Sequence, residues 1–287
     1  MEQDLEVLDR EAEQIVKDIG IPPCPAILTK LMKEMRGDDP DFIKLGKLIS
    51  GDVSLGAAML KTVNSPFYGL RTKATSVQQA IALLGLRNVA ELVTGLLLKQ
   101  AFPGGTSDRM DEYWEISSGI AEINAALARH FKNVDRDGAH TFALFRDCGM
   151  LAMMQGYKGY KPVFPGAESS SAQSVTASED KRHGMNHARI GCQMAKEWLL
   201  PDEVCLAVLR HHDYTELQAD GADMPAVSLQ HIALTLAAES IYVKQELGMT
   251  STEWVRGGEF ALDQLAITQA DLDNIAETVT AELAAES

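Results

Sequence analysis

The side chains best suited to binding a metal ion or moving a proton lie in the second half of the chain: Asp147, His187, His211, His212 and Asp213. A carboxylate beside small residues, together with imidazoles from other helices, is an arrangement that holds a divalent metal ion. One expected ligand is missing, because Arg146 directly precedes Asp147 and a guanidinium has no lone pair to offer a cation. The sequence therefore predicts an incomplete metal site.

The same residues also have ordinary interpretations. His187 and His211 fall on the apolar side of helical patterns, where a histidine is often only a partly buried residue. His211 and His212 are adjacent and would point about 100° apart, so one can face a pocket while the other lines its rim. Asp147 could cap a helix or pair with an arginine. We expect solvated or capping roles for the remaining histidines: His130, His140, His183 and His231.

Apolar residues spaced three and four apart predict helices along most of the chain, and no convincing strand is present. The predicted helices cover approximately residues 4–19, 25–36, 42–49, 53–63, 77–84, 89–97, 108–131, 139–154, 187–198, 204–211, 226–247 and 268–283. Ser76 and Gln79 have the spacing of a capping box. The pattern predicts an all-α globular fold.

The clearest linker composition lies just after Phe102, where Pro103–Ser107 is rich in proline and glycine. We place a boundary there, which gives an N-terminal helical lobe over residues 1–102 and a second helical lobe over 103–250. Residues 251–287 form a C-terminal helical extension. Within the second lobe, residues 156–183 include a Ser/Ala-rich stretch with few large apolar groups, which predicts an exposed, mobile insertion.

Composition limits the classes of partner. The net charge is −15, and it is uneven: residues 1–100 hold 12 Lys and Arg against 13 Asp and Glu, whereas residues 101–287 hold 14 against 28. Such acidity disfavours contact with a phosphate backbone, so we expect no direct nucleic-acid binding. Four scattered cysteines and no apolar run near the roughly 20 residues of a membrane span lead us to expect a cytoplasmic protein without membrane contact.

Several short runs together form a family-like pattern: Ile21–Pro25, Ile49–Leu55, Val63–Gly69, Ala80–Gly85, Leu144–Gly149, His187–Gly191, Trp198–Pro201 and His211–His212. In this combination the chain resembles the HDOD family, the HD-related output domain of bacterial signalling proteins. Two positions depart from the usual pattern, with Val53 where proline is common and Pro66 where alanine is frequent. The resemblance extends from about Ile21 to Leu247.

The resemblance implies an all-helical fold of two packed lobes, with an HD-superfamily-like helical core in the C-terminal lobe. Catalytic relatives are metal-dependent phosphohydrolases that carry His-Asp where this chain has Arg146-Asp147, and a helix histidine where Ile116 aligns. The residues that remain would form a vestigial site, for which we expect no metal and no cofactor: Asp147, His187, His211 and His212.

Arg146 would then be a pocket cation bordering the position of a lost ion and replacing its structural role. A buried guanidinium must be paired, because it cannot lose its proton. We expect the partner to be Asp147, Asp213 or a carboxylate of the acidic C-terminal half.

The preferred interpretation is a non-catalytic regulatory module of signal transduction, as in two-component regulation, that acts on other signalling or regulatory proteins. Its interaction surface is predicted around one loop: Asn64, Ser65, Pro66, Phe67 and Tyr68. The alternative is a metal-dependent phosphohydrolase that acts on nucleotides or cyclic dinucleotides. No P-loop, dinucleotide fingerprint, G-x-S-x-G or H-E-x-x-H motif supports another enzyme class.

Overall fold

The computed structural model describes residues 24–35, 40–65, 68, 70, 72–103, 107–132, 134, 136–165, 174–219 and 224–286. Its helices are α1 Ala26–Met35, α2 Phe42–Ser50, α3 Val53–Val63, α4 Val77–Leu84, α5 Leu86–Ala101, α6 Asp108–Ala128, α7 Arg136–Phe145, α8 Cys148–Gly156, α9 Val175–His183, α10 His187–Glu197, α11 Asp202–Arg210, α12 Tyr214–Gln218, α13 Ala226–Leu247, α14 Thr252–Leu265 and α15 Gln269–Glu286. Across these ranges no β-strand occurs, and the all-α prediction is confirmed.

The N-terminal lobe consists of α1 to α5, whose starts are set by side-chain caps. Asp41 accepts hydrogen bonds from two backbone N–H groups of α2, and Asp52 and Ser76 cap α3 and α4 in the same way. Gly85 has a φ of 82°, which turns the chain sharply between α4 and α5. Gly85 therefore forms the corner between the two helices.

The two lobes pack through α5 and α7. Gly95 of α5 lies so close to Leu144 that an added Cβ would stand 2.9 Å from its side chain. Trp114 of α6 donates a hydrogen bond from Nε1 to the carbonyl oxygen of Phe102 at 2.8 Å, which fixes the junction between the lobes. The division into residues 103–250 and 251–287 stays a prediction. Helix α14, the first helix of the predicted extension, packs directly against α13 of the second lobe.

Helix α13, Ala226–Leu247, is the central helix of the second lobe. It packs against α6, α7, α11 and α14. By length and composition alone it could cross a membrane, but 67% of its most apolar 18-residue window is buried inside the protein. The core helix of a globular protein has the same properties, so this helix is weak support for a membrane span.

Three short or polar helices were not predicted: α9, α12 and α14. Helix α9 lies inside the segment that we predicted to be an exposed insertion. In the described parts of that segment, Tyr160, Phe164 and Glu179 are buried, so these residues belong to the packed protein. Its predicted mobility stays a prediction, and the Ser/Ala-rich residues 166–173 lie outside the described part.

Two histidines for which solvated or capping roles were expected have other environments. His231 is buried and its ring stacks on Phe142 with centroids 5.7 Å apart. His140 is partly buried, and burial lowers its pKa to about 4. Histidine spacing alone could not reveal either location, because the surrounding residues come from other helices.

Gly149 allows α8 and α10 to approach unusually closely. An ideal Cβ on Gly149 would stand 1.9 Å from the backbone carbonyl oxygen of His187. A backbone oxygen cannot move aside as a flexible side chain can, so only glycine fits here. The close approach brings the residue before α8, Asp147, next to the first residue of α10, His187.

We expect Gly149→Ala to destabilise the protein by about 3 kcal/mol or more, because the methyl group forces α8 away from α10. Gly56→Ala is the matched control, since its Cβ would meet its nearest neighbour at an ordinary 3.7 Å. The control should be neutral or slightly stabilising, because alanine favours a helix by up to about 1 kcal/mol over glycine. Denaturant unfolding of both variants measures the difference, and equal stabilities would contradict the packing described here.

Candidate metal centre

Four potential ligands come together from separate helix ends in the second lobe: Asp147 before α8, His187 at the start of α10, and His211 and His212 in the turn after α11. One ligand atom from each lies within 4.8 Å of every other. The three histidines are buried, and the side chain of Asp147 is only 14% exposed. The structure thus unites all four residues of the predicted site.

The spacing of these atoms fits one metal ion. His187 Nε2 lies 3.1 Å from His212 Nε2, 3.5 Å from His211 Nε2 and 3.4 Å from Asp147 Oδ1. His211 Nε2 lies 3.2 Å from Asp147 Oδ1. Ligand atoms about 2.1 Å from a tetrahedral ion would be about 3.4 Å apart. Four of the six possible separations are therefore those of a tetrahedral centre.

The far side of each imidazole is held by an acceptor. His187 Nδ1 lies 2.6 Å from Glu179 Oε2, His212 Nδ1 lies 2.7 Å from Glu253 Oε2, and His211 Nδ1 lies 2.7 Å from a backbone carbonyl oxygen, that of Val208. In the neutral form of each ring the proton would lie on Nδ1, facing this acceptor, and the Nε2 lone pair would face the shared centre. Metal-binding histidines are oriented by this kind of second contact.

The two anchoring carboxylates are themselves fixed. Glu179 Oε1 accepts a hydrogen bond from the Tyr160 hydroxyl at 2.6 Å, and its Oε2 also accepts from the His187 backbone N–H at 2.9 Å. Glu253 accepts from the Tyr214 hydroxyl and from Arg256, both at 2.9 Å. Burial raises the pKa of each carboxyl, but the neighbouring histidine and these donors outweigh it and lower the pKa below the usual range. Both groups are ionised at neutral pH.

His187 is held in its protonated form by the neighbouring carboxylates. Burial alone would lower its pKa, but the carboxylates of Glu179 and Asp147 outweigh burial and raise the pKa to about 10. Burial and the neighbouring His211 lower the pKa of His212 to about 4, so His212 is neutral at pH 7. Without an ion, one proton on His187 therefore supplies positive charge to the cluster.

Arg146 faces the same carboxylate from the other side. Its Nε lies 3.0 Å from Asp147 Oδ2, and its Nη2 lies 2.9 Å from Glu239 Oε2, with all three side chains largely buried. Glu239 is oriented in turn by the Ser251 hydroxyl, which donates to Oε1 at 2.7 Å. Arg146 thus borders the centre and pairs with Asp147 and with a carboxylate of the acidic C-terminal half.

The Asp147 carboxylate therefore lies between the Arg146 guanidinium and the protonated His187. Burial opposes its ionisation, but Arg146 and the histidines outweigh burial and hold the pKa of this carboxyl well below its usual range. Its Oδ1 faces the histidines and its Oδ2 faces the guanidinium. The residues present fit one ion, and they do not fit a second ion at Oδ2 because Arg146 is there.

Asp213 does not reach this centre. It pairs with Arg210 at 2.8 Å in a partly exposed position. The residues that sequence reasoning missed are Glu179, Glu239 and Glu253, none of which lies in a recognisable motif. Serine caps were a usable signal for the helices of two of them, because Ser174 caps α9 and Ser251 caps α14.

The cavity beside Arg146 and the histidines is small, with a volume of about 30 Å³. Its apolar walls include Phe142, Met150 and Phe164, and its polar wall includes Tyr214 and Glu253. A space of this size holds about one water molecule. A phosphodiester does not fit in this conformation.

Comparison with known proteins places these observations in a family. The model of the HDOD domain matches residues 21–214, a range that contains all four candidate ligands and ends before Glu239 and Glu253. An uncharacterized protein of Treponema pallidum (strain Nichols) is 24% identical over 207 residues, which are 67% of this chain and 38% of that protein. The chain thus spans less than half the length of this curated relative.

Solved structures share the fold. A candidate phosphohydrolase from Shewanella amazonensis SB2B aligns with a TM-score of 0.68 at 17% identity, covering 93% of each chain. A candidate signal transduction protein from Marinobacter aquaeolei VT8 aligns with a TM-score of 0.66 at 19% identity, covering 98% of this chain and 65% of that one. At these identities the likeness shows the helical fold alone.

We expect Arg146→Ala to destabilise the protein by about 3 kcal/mol or more, because it leaves Glu239 and Asp147 buried without their guanidinium. Arg210→Ala is the matched control. Arg210 also contacts two carboxylates, but its side chain is 34% exposed, so its loss should cost less than about 1 kcal/mol. Denaturant unfolding at pH 7 compares the two, and an Arg146→Ala protein as stable as the control would contradict this role.

Proposed function

The chain belongs to the HDOD domain family, and we propose that it is a regulatory signal-transduction module built around one bound metal ion, without phosphodiesterase activity. The proposal replaces our expectation of a vestigial site without metal. That expectation rested on the loss of a ligand at Arg146, whereas the convergence of Asp147 and three oriented imidazoles favours a site that still binds one ion.

The observation that carries the proposal is the number of protein ligands. Structural metal sites are closed by four protein ligands, whereas catalytic sites keep one position open for water or substrate. Asp147, His187, His211 and His212 supply four ligand atoms at near-tetrahedral spacing. Imidazole-rich sites with one carboxylate suit Zn²⁺ and other borderline metals such as Fe²⁺ and Ni²⁺.

Arg146 argues against hydrolysis for a separate reason. Hydrolysis with paired metals uses one ion to generate hydroxide and both ions to neutralise the phosphate oxygens. Here the second positive charge belongs to a side chain that is already engaged by Asp147 and Glu239. A guanidinium cannot lower the pKa of a coordinated water, so only its charge replaces the second ion.

A bound ion would connect several elements of the second lobe. Its ligands come from the ends of α8, α10 and α11, and Glu253 extends the connection to α14. Gain or loss of the ion would change how these helices pack, and partners could respond to that change. We propose that the partners are other signalling or regulatory proteins.

The loop proposed for partner contact has a structural role as well. Asn64 Nδ2 donates to the Ala74 carbonyl at 2.8 Å, and Asn64 Oδ1 accepts from the Ala74 N–H at 2.7 Å, so this side chain closes the loop. Tyr68 packs against the core. Pro66 and Phe67 lie outside the described residues, and the proposal for this surface rests on sequence.

The second candidate function is a metal-dependent phosphohydrolase, which the His/Asp cluster itself favours. It requires an open coordination position or a cavity that enlarges. The two functions agree on metal binding and differ on turnover, so both quantities must be measured on the same sample.

We expect the purified protein, loaded with Zn²⁺ and freed of excess, to retain about one ion per chain and to show no hydrolysis of bis(p-nitrophenyl) phosphate. His212→Gln should lower the retained metal to a small fraction of one ion per chain. His130→Gln, which changes an exposed histidine, should retain the full amount. Metal analysis and a chromogenic assay with Zn²⁺, Mn²⁺ or Fe²⁺ measure both properties.

Metal-dependent turnover lost in His212→Gln would contradict the non-catalytic assignment and establish the second candidate. Less than about a tenth of an ion per chain after loading would contradict the metal centre itself.

Ion binding should release one proton, because His187 has a pKa of about 10 without an ion and a ligand must be deprotonated. Below that pKa, the affinity for Zn²⁺ should rise by about tenfold for each pH unit. Competition with a chromogenic chelator between pH 6.5 and 8.5 measures the slope, after correction for the chelator's own protonation. An affinity independent of pH would show that His187 is already neutral and would contradict the charge assignment.

A further inference from the structure

A groove with four lysines lies between α1 and α2 of the N-terminal lobe and has a volume of about 500 Å³. We call it the basic groove. Its exposed lysines come from both helices, Lys30 and Lys33 from α1 and Lys44 and Lys47 from α2. In each pair the two residues are three positions apart, so they are neighbours on one side of their helix. The groove thus presents two short rows of positive charge.

Most of this positive charge is not neutralised by neighbouring carboxylates. Of the described lining residues only Glu34 is acidic, and it pairs with Lys44. Within the described part of the chain, no salt bridge engages Lys30, Lys33 or Lys47. Four lysines against one glutamate leave the groove with a net charge of +3.

The basic groove lies in the part of the chain that carries positive charge. Residues 24–102 hold 10 Lys and Arg against 6 Asp and Glu, a net charge of +4, whereas residues 103–287 hold 14 against 28, a net charge of −14. The field of the protein therefore directs an acidic partner to the N-terminal lobe and away from the second lobe.

The lining of the basic groove is also partly apolar. Leu45 and Leu48 of α2 line it beside the lysines. Ile43 lies one turn before Lys47 on the same helix, and its side chain is 65% exposed. A groove between two helices that combines apolar surface with flanking charges fits an amphipathic helix, whose apolar face enters the groove while its charged residues meet the flanks.

The exposure of the lysines favours a partner with several carboxylates. An exposed ion pair contributes little free energy, so a single small anion would be held weakly. Several such contacts along one helix add up, and the leucines offer contacts that a free anion cannot make. A nucleic acid or an anionic membrane is an extended polyanion, which the acidic second lobe would repel.

We propose that the basic groove binds an acidic amphipathic helix of a partner protein, with carboxylates against both rows of lysines and apolar side chains against Leu45 and Leu48. This surface adds to the loop at residues 64–68, and it rests on the proposed regulatory function only for the existence of a partner. None of the four candidate metal ligands lies in this lobe, so the groove and the metal centre can be tested separately.

The test uses a fluorescein-labelled peptide of about 18 residues, long enough to form a helix, with a stripe of leucines flanked by glutamates. We expect its fluorescence anisotropy to show saturable binding to the full chain. Raising NaCl from roughly 50 mM to roughly 300 mM should weaken binding at least about tenfold, because salt screens exposed charges. The matched peptide has glutamine at every glutamate position and should bind at least about tenfold more weakly.

Variants locate the site. Lys30→Glu together with Lys47→Glu should weaken binding at least about tenfold, because they change the net charge of the groove from +3 to −1. Lys61→Glu together with Lys73→Glu is the matched control, since it reverses two exposed lysines of the same lobe that do not line the groove. The control should stay within about twofold of the parent, because its charges are screened from the groove. Both variants should keep the parent's thermal unfolding midpoint and metal content.

Equal weakening by the two double variants would overturn the proposal, because binding would then follow the net charge of the lobe. A dissociation constant above roughly 100 µM for the acidic peptide would also overturn it, as would tighter binding of oligothymidylate or phosphatidylserine vesicles than of the peptide. A protein that retains no metal but still binds the peptide through Lys30 and Lys47 would contradict the metal centre and support the groove.

Discussion

The candidate site in the second lobe depends on the contacts that the buried Asp147 carboxylate makes on both of its sides. One oxygen faces the imidazoles of His187 and His211, and the other faces the Arg146 guanidinium. A buried carboxylate is costly without partners, and here two positive positions on opposite sides offset that cost. Since Arg146 cannot leave its protonated state, one of these positions is permanent and the other is open to a proton or an ion.

Carboxylates from three other helices complete this centre. Glu179, Glu239 and Glu253 come from α9, α13 and α14, and each orients a residue of the centre through its buried oxygen atoms. They explain how a cluster of imidazoles can be held with their Nε2 atoms 3.1–3.5 Å apart. The HDOD match ends at residue 214, so two of these three carboxylates lie beyond the region that defines the family.

Helices α7 and α13 separate the candidate metal centre from a cavity of about 410 Å³ between the two lobes. Helices in a close-packed interior transmit small displacements because the side chains around them have little free space.

The amino-acid sequence alone determined the helical fold, most helix positions and the four candidate ligands. Those features depend on local periodicity and on short runs, as in the cap at Ser76 and the pair His211-His212. Only the tertiary structure decided that the four ligands converge, that Arg146 pairs with Glu239, and that α9 places Glu179 against His187. The reason is that the contacts that orient the site join residues far apart in the chain. Arg146 and Glu239, for example, are 93 positions apart, and a contact over that distance leaves no local periodicity in the sequence.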